Sequence, residues 1–301
     1  MKQSRVGVSI VFLIFLMVLF VALAVGFSKL FDGSESGSGI MDSLDYGSKV
    51  GVVPIEGTLM SSDEILKNLR KFKKKSSIKA IVLRINSPGG AVAPAQEIYR
   101  EIERIKKKKP VVASMETVAA SAGYYVASNA NRVVCSKGTI TGSIGVIMML
   151  ADIHKVAEKL GIGVNIVKAG KFKDIGSGLK PLTEDEKQIL EAFAVEIHDQ
   201  FIADVAVARK EKIDLDKLKE ISDGRFFSGE KARELGLVDD IGNFYDAVQI
   251  AAGLGGVRGE PQLEYPKRKW NNYLDLVLES ASNTMMRVYE RAGVVMAPEI
   301  R

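Results

Sequence analysis

The segment Ala80-Ile81-Val82-Leu83-Arg84-Ile85 sets the tightest limit on what this chain can fold into. Its apolar residues are consecutive rather than alternate, so a strand here must be buried on both faces, as the inner strands of parallel sheets are. From Lys49 onward, stretches of period two alternate with stretches of period 3.6. Val50–Ile55 reads as a strand, and Ser61 or Ser62 can cap a helix running to about Lys74. After the apolar strand come a helix over Ala95–Lys108, a strand over Val111–Met115, a short helix over Ala119–Ser128 and a strand over Arg132–Cys135. That order implies the α/β class with right-handed crossovers. Further along, Val164–Val167 reads as a strand and Thr183–Glu211 as a long helix, with Thr183 as cap and Glu186 at the capping-box position. Asp223–Gly242 should hold a small helix and a strand. A last amphipathic helix is expected near Tyr273–Tyr289, from the spacing of Leu274, Val277, Leu278, Ala281, Met285 and Val288.

From Val6 to Ser28 the chain carries no charge, a run of 23 residues. As a helix this spans roughly 34 Å, enough for a hydrocarbon core of about 30 Å. Lys2 and Arg5 precede it, so the flank is expected to stay cytoplasmic and the body to lie outside. A cleaved signal peptide is the competing reading, since Ala22-Leu23-Ala24 fits a cleavage pattern, but the run exceeds the usual apolar core of about 7–15 residues. The expected organisation is an anchor over residues 1–31, a Gly/Ser/Asp-rich tether over 32–48, a catalytic domain over 49–250 and an extension over 251–301. The implied location is the cell membrane, crossed once.

Chemistry is bounded by scarcity. One cysteine, Cys135, excludes an internal disulfide framework and a cysteine-based zinc cluster. Two histidines, His154 and His198, read as surface or packing residues in helical surroundings. No Walker A, GxGxxG or HExxH pattern occurs, so no nucleotide, metal or other cofactor is expected. Arg70–Lys75 and Lys106–Lys109 fall at predicted helix ends, where lysines complement the dipole, and nucleic acid is not expected as a partner. Lys267-Arg268-Lys269-Trp270 reads as an ordinary loop or as a contact to lipid headgroups.

Two segments can carry catalysis. Asn86-Ser87-Pro88-Gly89-Gly90 follows the apolar strand, and paired glycines there let a backbone ligand approach and meet N–H donors. Such donors can stabilise the anion formed when a carbonyl is attacked; an ordinary strand-to-helix turn is the other reading. In Val118-Ala119-Ala120-Ser121-Ala122-Gly123-Tyr124-Tyr125, Ser121 sits where a helix N-terminus favours a developing oxyanion, or is simply an N-cap. With histidine scarce, the lysine-rich stretch from Lys168 to Ser177 offers a base. A lysine in that role must give up about 4 kcal/mol of preference for its charged form through desolvation.

INSPGG at 85–90, AASAGYY at 119–125, TGSIGV at 141–146, KAGKFKDIGS at 168–177 and DGRFFSGEKARELGLVDDIG at 223–242 together resemble the signal peptide peptidase A family. These are membrane-bound serine proteases with the Clp-protease/crotonase-like fold of repeated β-β-α and βα units. The resemblance covers about residues 49–250, in order and at similar spacing. It implies Ser121 as nucleophile, Lys173 rather than Lys168 or Lys171 as general base, and Ser143 as a serine orienting that lysine. It also implies an oxyanion hole from Gly90 and the N–H of Ala122, with Gly89 and Gly90 along the bound peptide. Ala122 replaces the commoner glycine after the nucleophile, and Gly178 stands where proline is frequent. Short relatives share the dyad between neighbouring subunits of a ring-like homo-oligomer. The expected substrates are remnant signal peptides and similar apolar segments. A crotonase-like acyl-thioester enzyme or a silent membrane scaffold is the alternative that the same fold allows.

Overall fold

A computed structural model describes residues 47–267. The segment Val6–Ser28, the tether up to residue 46 and the helix expected near Tyr273–Tyr289 lie outside the described residues. Among the described residues, no helix is long and apolar enough to cross a membrane.

Among the described residues the sheet has eight strands. In chain order these are β1 (Lys49–Glu56), β2 (Ile78–Ser87), β3 (Val111–Ala120), β4 (Arg132–Cys135), β5 (Ile140–Gly142), β6 (Phe226–Ser228), β7 (Asp240–Ile241) and β8 (Gln262–Glu264). The helices are α1 (Asp63–Lys74), α2 (Val92–Lys106), α3 (Ala122–Ser128), α4 (His154–Lys159), α5 (Glu184–Ala208), α6 (Leu215–Ile221), α7 (Gly229–Glu234) and α8 (Phe244–Leu254). One path of the sheet runs β6-β5-β3-β2-β1-β8, and β4 and β7 form a second branch from β3. All pairings are parallel except β5 with β6.

Strand β3 creates the fork. Its first half, Val112–Met115, pairs with β4, and its second half, Val118–Ala120, pairs with β5. A register shift between Ile85 and Ser87 accommodates the bend. The fork leaves the end of β3, and Ser121 after it, at a corner between the two branches.

Both faces of the inner strands are covered, which explains the unbroken apolar run. Ile81, Leu83 and Ile85 point into the larger core with Leu69 and Phe72 of α1 and Ile98, Ile102 and Ile105 of α2. Ala80 and Val82 point the other way, against Ala247, Val248, Ala251 and Ala252 of α8. A fully buried Leu or Ile contributes about 1.5–3 kcal/mol, so this two-sided strand anchors the domain. Helix α8 and strand β8 carry the fold past residue 250.

Several sequence expectations change. The short helix begins after Ser121, because Ala119 and Ala120 complete β3. Helix α2 is entered three residues early, at Val92. Ser62 occupies the N-cap of α1, but its hydroxyl bonds Glu97 instead of the helix end. Val164–Val167 is not a strand: these residues are exposed and find no pairing partner among the described strands. Helix α5 keeps the expected capping box of Thr183 and Glu186 but stops at Ala208. The lysine patches do serve helix ends, Lys109 Nζ donating to the carbonyls of Phe72 and Lys75 at 2.7 and 2.6 Å.

Helix α5 stops because the next residue, Arg209, is claimed elsewhere. Its guanidinium donates to both carboxylate oxygens of Asp239, at 2.8 and 3.1 Å, and to the carbonyl of Gly236. The two side chains are only 3% and 2% exposed. Burial alone would raise the Asp239 carboxyl, but the bonds from Arg209 and the Val133 N–H outweigh it and hold it below its ordinary value. Asp239→Asn strands a buried guanidinium and is expected to cost about 3–5 kcal/mol in denaturant unfolding. With a depressed folded value, the stabilisation is complete above about pH 4, the unfolded value, and fades as pH falls through the folded one. The variant should therefore lose less stability than wild type on acidification through that window.

Candidate active site

The corner at the end of β3 is built around one unusual residue. Ser121 has φ 51° and ψ −123°, a region that non-glycine residues seldom occupy, and it caps α3. Its N–H donates to the Gly142 carbonyl at 2.9 Å, and its carbonyl accepts the Tyr125 N–H at 2.8 Å. These bonds hold the turn while projecting the side chain outward. Gly123 lets the turn sit down: a β-carbon there would lie 2.8 Å from the Ser87 carbonyl oxygen.

Gly89 and Gly90 face Ser121 from the end of β2. A β-carbon on Gly89 would come within 2.8 Å of the Ser121 β-carbon. Gly90 forms a parallel bridge with Leu59. Leu59 donates to the Gly89 carbonyl and accepts from the Ala91 N–H, both at 2.8 Å. In such a bridge the N–H of Gly90 itself points away from Leu59. On the other side, the Ala122 N–H belongs to the first turn of α3 and has no acceptor within the helix. Gly90, Ser121 and Ala122 line one cavity. Residues that carry a hydroxyl and two amides line this one space, a set that suits attack on a carbonyl and stabilisation of its oxyanion.

Apart from Gln96, the cavity wall is apolar, with Val92 and Ala95 of α2, Val146 and Ile147 after β5, and Ile197 and Phe201 of α5. Tyr125 closes it, its ring edge-on to Phe201 at 5.0 Å and its hydroxyl bonded to the Asp204 carboxylate. Burial, then that carboxylate, push the Tyr125 phenol above its ordinary range, so it remains a neutral donor.

Ser143 lies one peptide from the Gly142 carbonyl that holds Ser121. It too has a positive φ, 49°, and its N–H donates to the Arg225 carbonyl at 2.9 Å. Strand β6 is thus the brace behind this loop, and Phe227 fills the space where a side chain on Gly142 would go. Sequence reasoning quoted the 223–242 stretch without assigning this bracing, and it missed the contributions of Leu59 and α5 to the site.

Lys173 is not brought into the cavity within one chain. It is exposed and does not line that space. Its neighbours differ from it in one respect. Lys168 pairs with Asp174, Lys171 with Asp185 at 2.8 Å, and Lys180 with Asp174 at 3.4 Å and with Glu186. Among the described residues, no carboxylate pairs with Lys173. Gly178 is required where it stands, since a β-carbon would fall 2.2 Å from the Ala151 carbonyl oxygen. The histidines are not placed for catalysis: His154 pairs with Asp152 two residues before it, and neither it nor His198 lines the cavity. No cluster of potential metal ligands occurs among the described residues. Cys135 is buried beneath α7, and burial pushes its thiol up to about 11, which leaves it unreactive.

The family model for peptidase family S49 matches residues 103–258, more than half of the chain. The chain belongs to peptidase family S49. Residues 50–141 also match the model for Clp protease, in agreement with the mixed α/β sheet and its crossover helices. A candidate protease of Synechocystis sp. is 38% identical over 211 residues, covering 69% of this chain and 75% of its own. A candidate signal peptide peptidase SppA of Enterococcus faecium is 31% identical over 240 residues, 74% of this chain and 69% of that one. Protease 4 of Haemophilus influenzae is 32% identical over 241 residues, which span 76% of this chain and 38% of that protein. By family this S49 chain is a serine protease.

Proposed function

We propose that this S49 protein is a membrane-anchored, ATP-independent signal peptide peptidase that uses a Ser121/Lys173 dyad. The observation that carries the reading is that Ser121, Gly90 and Ala122 line one largely apolar cavity. Ser121 attacks a peptide carbonyl and passes its proton to neutral Lys173, and the oxyanion rests on the two amides. Protonated Lys173 gives that proton to the leaving amine, which departs, and the neutral lysine then takes a proton from water to release the acyl group and restore Ser121. The apolar wall favours small or aliphatic side chains next to the cleaved bond, as in remnant signal peptides. The uncharged run Val6–Ser28 supplies the anchor and puts the catalytic domain outside the cytoplasm.

The base comes from a neighbouring copy in a ring-like homo-oligomer. Two features support this. Lys173 is solvated and outside the cavity in the single chain, whereas a working base needs desolvation. The arm between the Ser121 corner and α5 leaves Ile147, Met149 and Val167 at 78%, 85% and 99% exposure, and α5 leaves Phe193 at 52%, an apolar surface suited to contact with a copy. Mixing Ser121→Ala with Lys173→Ala subunits should restore cleavage of an apolar peptide and labelling by a serine-directed reagent. Assembled mixtures that stay silent, with wild type labelled, would show that the dyad is not shared.

A further inference from the structure

The loop that carries Lys173 is held by an alternating row of charges. Lys168 and Lys180 both reach the Asp174 carboxylate, and Lys180 also pairs with Glu186, whose other oxygen accepts the Thr183 N–H at 3.1 Å. Asp174 and Glu186 are largely shielded, at 10% and 3% exposure of the side chain. The row therefore closes residues 168–180 onto the capped first turn of α5. Lys173 is adjacent in sequence to Asp174 yet has no part in the row.

We infer that Asp174 is a positioning residue for the catalytic lysine. With Lys168, Lys180 and Glu186 it forms a charge-balanced clip that fixes the loop and occupies the one carboxylate adjacent to Lys173 in sequence. The inference rests on the reading of Lys173 as the base. A carboxylate satisfied by two ammonium groups has little field left to hold a third proton in place on Lys173. The hydrogen bond from Lys168, aided by Lys180, keeps the Asp174 carboxyl below its ordinary value, so the clip stays charged at neutral pH.

Of the other charged groups around this loop, Lys155, Glu158 and Lys159 of α4 and Glu184 of α5 are exposed to solvent, which screens them from the loop. Lys171 is held by Asp185 from α5, and in the segment packed against Gly178 His154 is held by Asp152. The two arms of the clip should thus act on the base with opposite sign. Asp174→Asn removes the negative charge and frees Lys168, leaving Lys180 to Glu186, which disfavours the protonated base and moves the acid limb of the rate profile to lower pH. Lys168→Gln leaves Asp174 undercompensated and moves that limb to higher pH.

The experiment compares kcat, KM and the acid limb for the full chain as wild type, Asp174→Asn, Lys168→Gln and Lys173→Ala, on one apolar fluorogenic peptide. Asp174→Asn should lose about 10- to 100-fold in kcat, the cost of misplacing a catalytic group by about 1 Å, with little change in KM. Loop damage alone would not shift the two limbs in opposite directions. If Lys173→Ala is inactive while the other two variants keep wild-type kcat and limbs, the clip is overturned and the base reading stands. If Lys173→Ala is as active as wild type, both fall. Should Asp174→Asn fail to fold, Lys168→Gln decides: an upward limb supports the clip, and an unmoved limb overturns it.

Discussion

Replacing Ser121 by glycine should abolish peptide cleavage and at the same time raise the melting temperature. Loss of a serine nucleophile costs on the order of a millionfold in kcat, so activity falls to the residual that the amide donors and binding supply. The stability gain comes from the backbone. Ser121 holds φ 51° and ψ −123°, a conformation that costs a residue with a β-carbon about 1–3 kcal/mol. Glycine removes that strain and gives back about 0.5–1 kcal/mol through its freer unfolded chain. The net gain is about 1 kcal/mol, or roughly 2–4 °C for a domain of this size. Ser121→Ala is the control: equally inactive, but with the β-carbon and the strain retained, so its transition should stay near that of wild type. Calorimetry on the three proteins, beside peptide cleavage, reads both effects. A glycine variant no more stable than the alanine variant would mean the corner stores no strain for the nucleophile.

How much of this was legible in the sequence depends on whether the signal was local. The two-sided burial of β2 was readable because every residue from Ala80 to Leu83 reports it, and the capping box of α5 because Thr183 and Glu186 sit three apart. The paired glycines after a buried strand left open a donor role or an ordinary turn, and only the family resemblance singled out Gly90 and Ala122. What escaped depends on distant partners. Nothing near Leu59 announces that its backbone clasps Gly90 from both sides, and nothing near Arg225 says that its carbonyl holds Ser143. Helix α8 was missed because its small residues, Ala247, Ala251 and Ala252, gain meaning only against Ala80 and Val82. Val164–Val167 misled for the opposite reason: β-branched residues suggest a strand, but a strand needs a neighbour, and these side chains are left facing outward.

Gly90→Ala should be the most damaging change at the site that leaves every catalytic side chain in place. A β-carbon there would lie 2.3 Å from the Leu59 carbonyl oxygen and 2.6 Å from its nitrogen, and both contacts are backbone, so no side chain can swing aside. The φ of 154° adds strain for any residue but glycine. Either the Leu59 strap or the Gly90 peptide must shift, and a shifted peptide no longer aims its N–H at the oxyanion. Loss of one such donor costs about 100- to 1000-fold in kcat. The overlap should also lower stability by about 1–3 kcal/mol, as overpacking does. Ala122→Gly supplies the contrast. It keeps the second amide and removes only a methyl group from the first turn of α3, so it should cost about 1 kcal/mol of helix stability at most and leave kcat within a few fold. Measuring kcat with both variants on one peptide separates backbone donation from side-chain packing. If Ala122→Gly proves as crippled as Gly90→Ala, the hole owes its action to shape around residue 122. If Gly90→Ala cleaves normally, the anion is held by donors other than this pair.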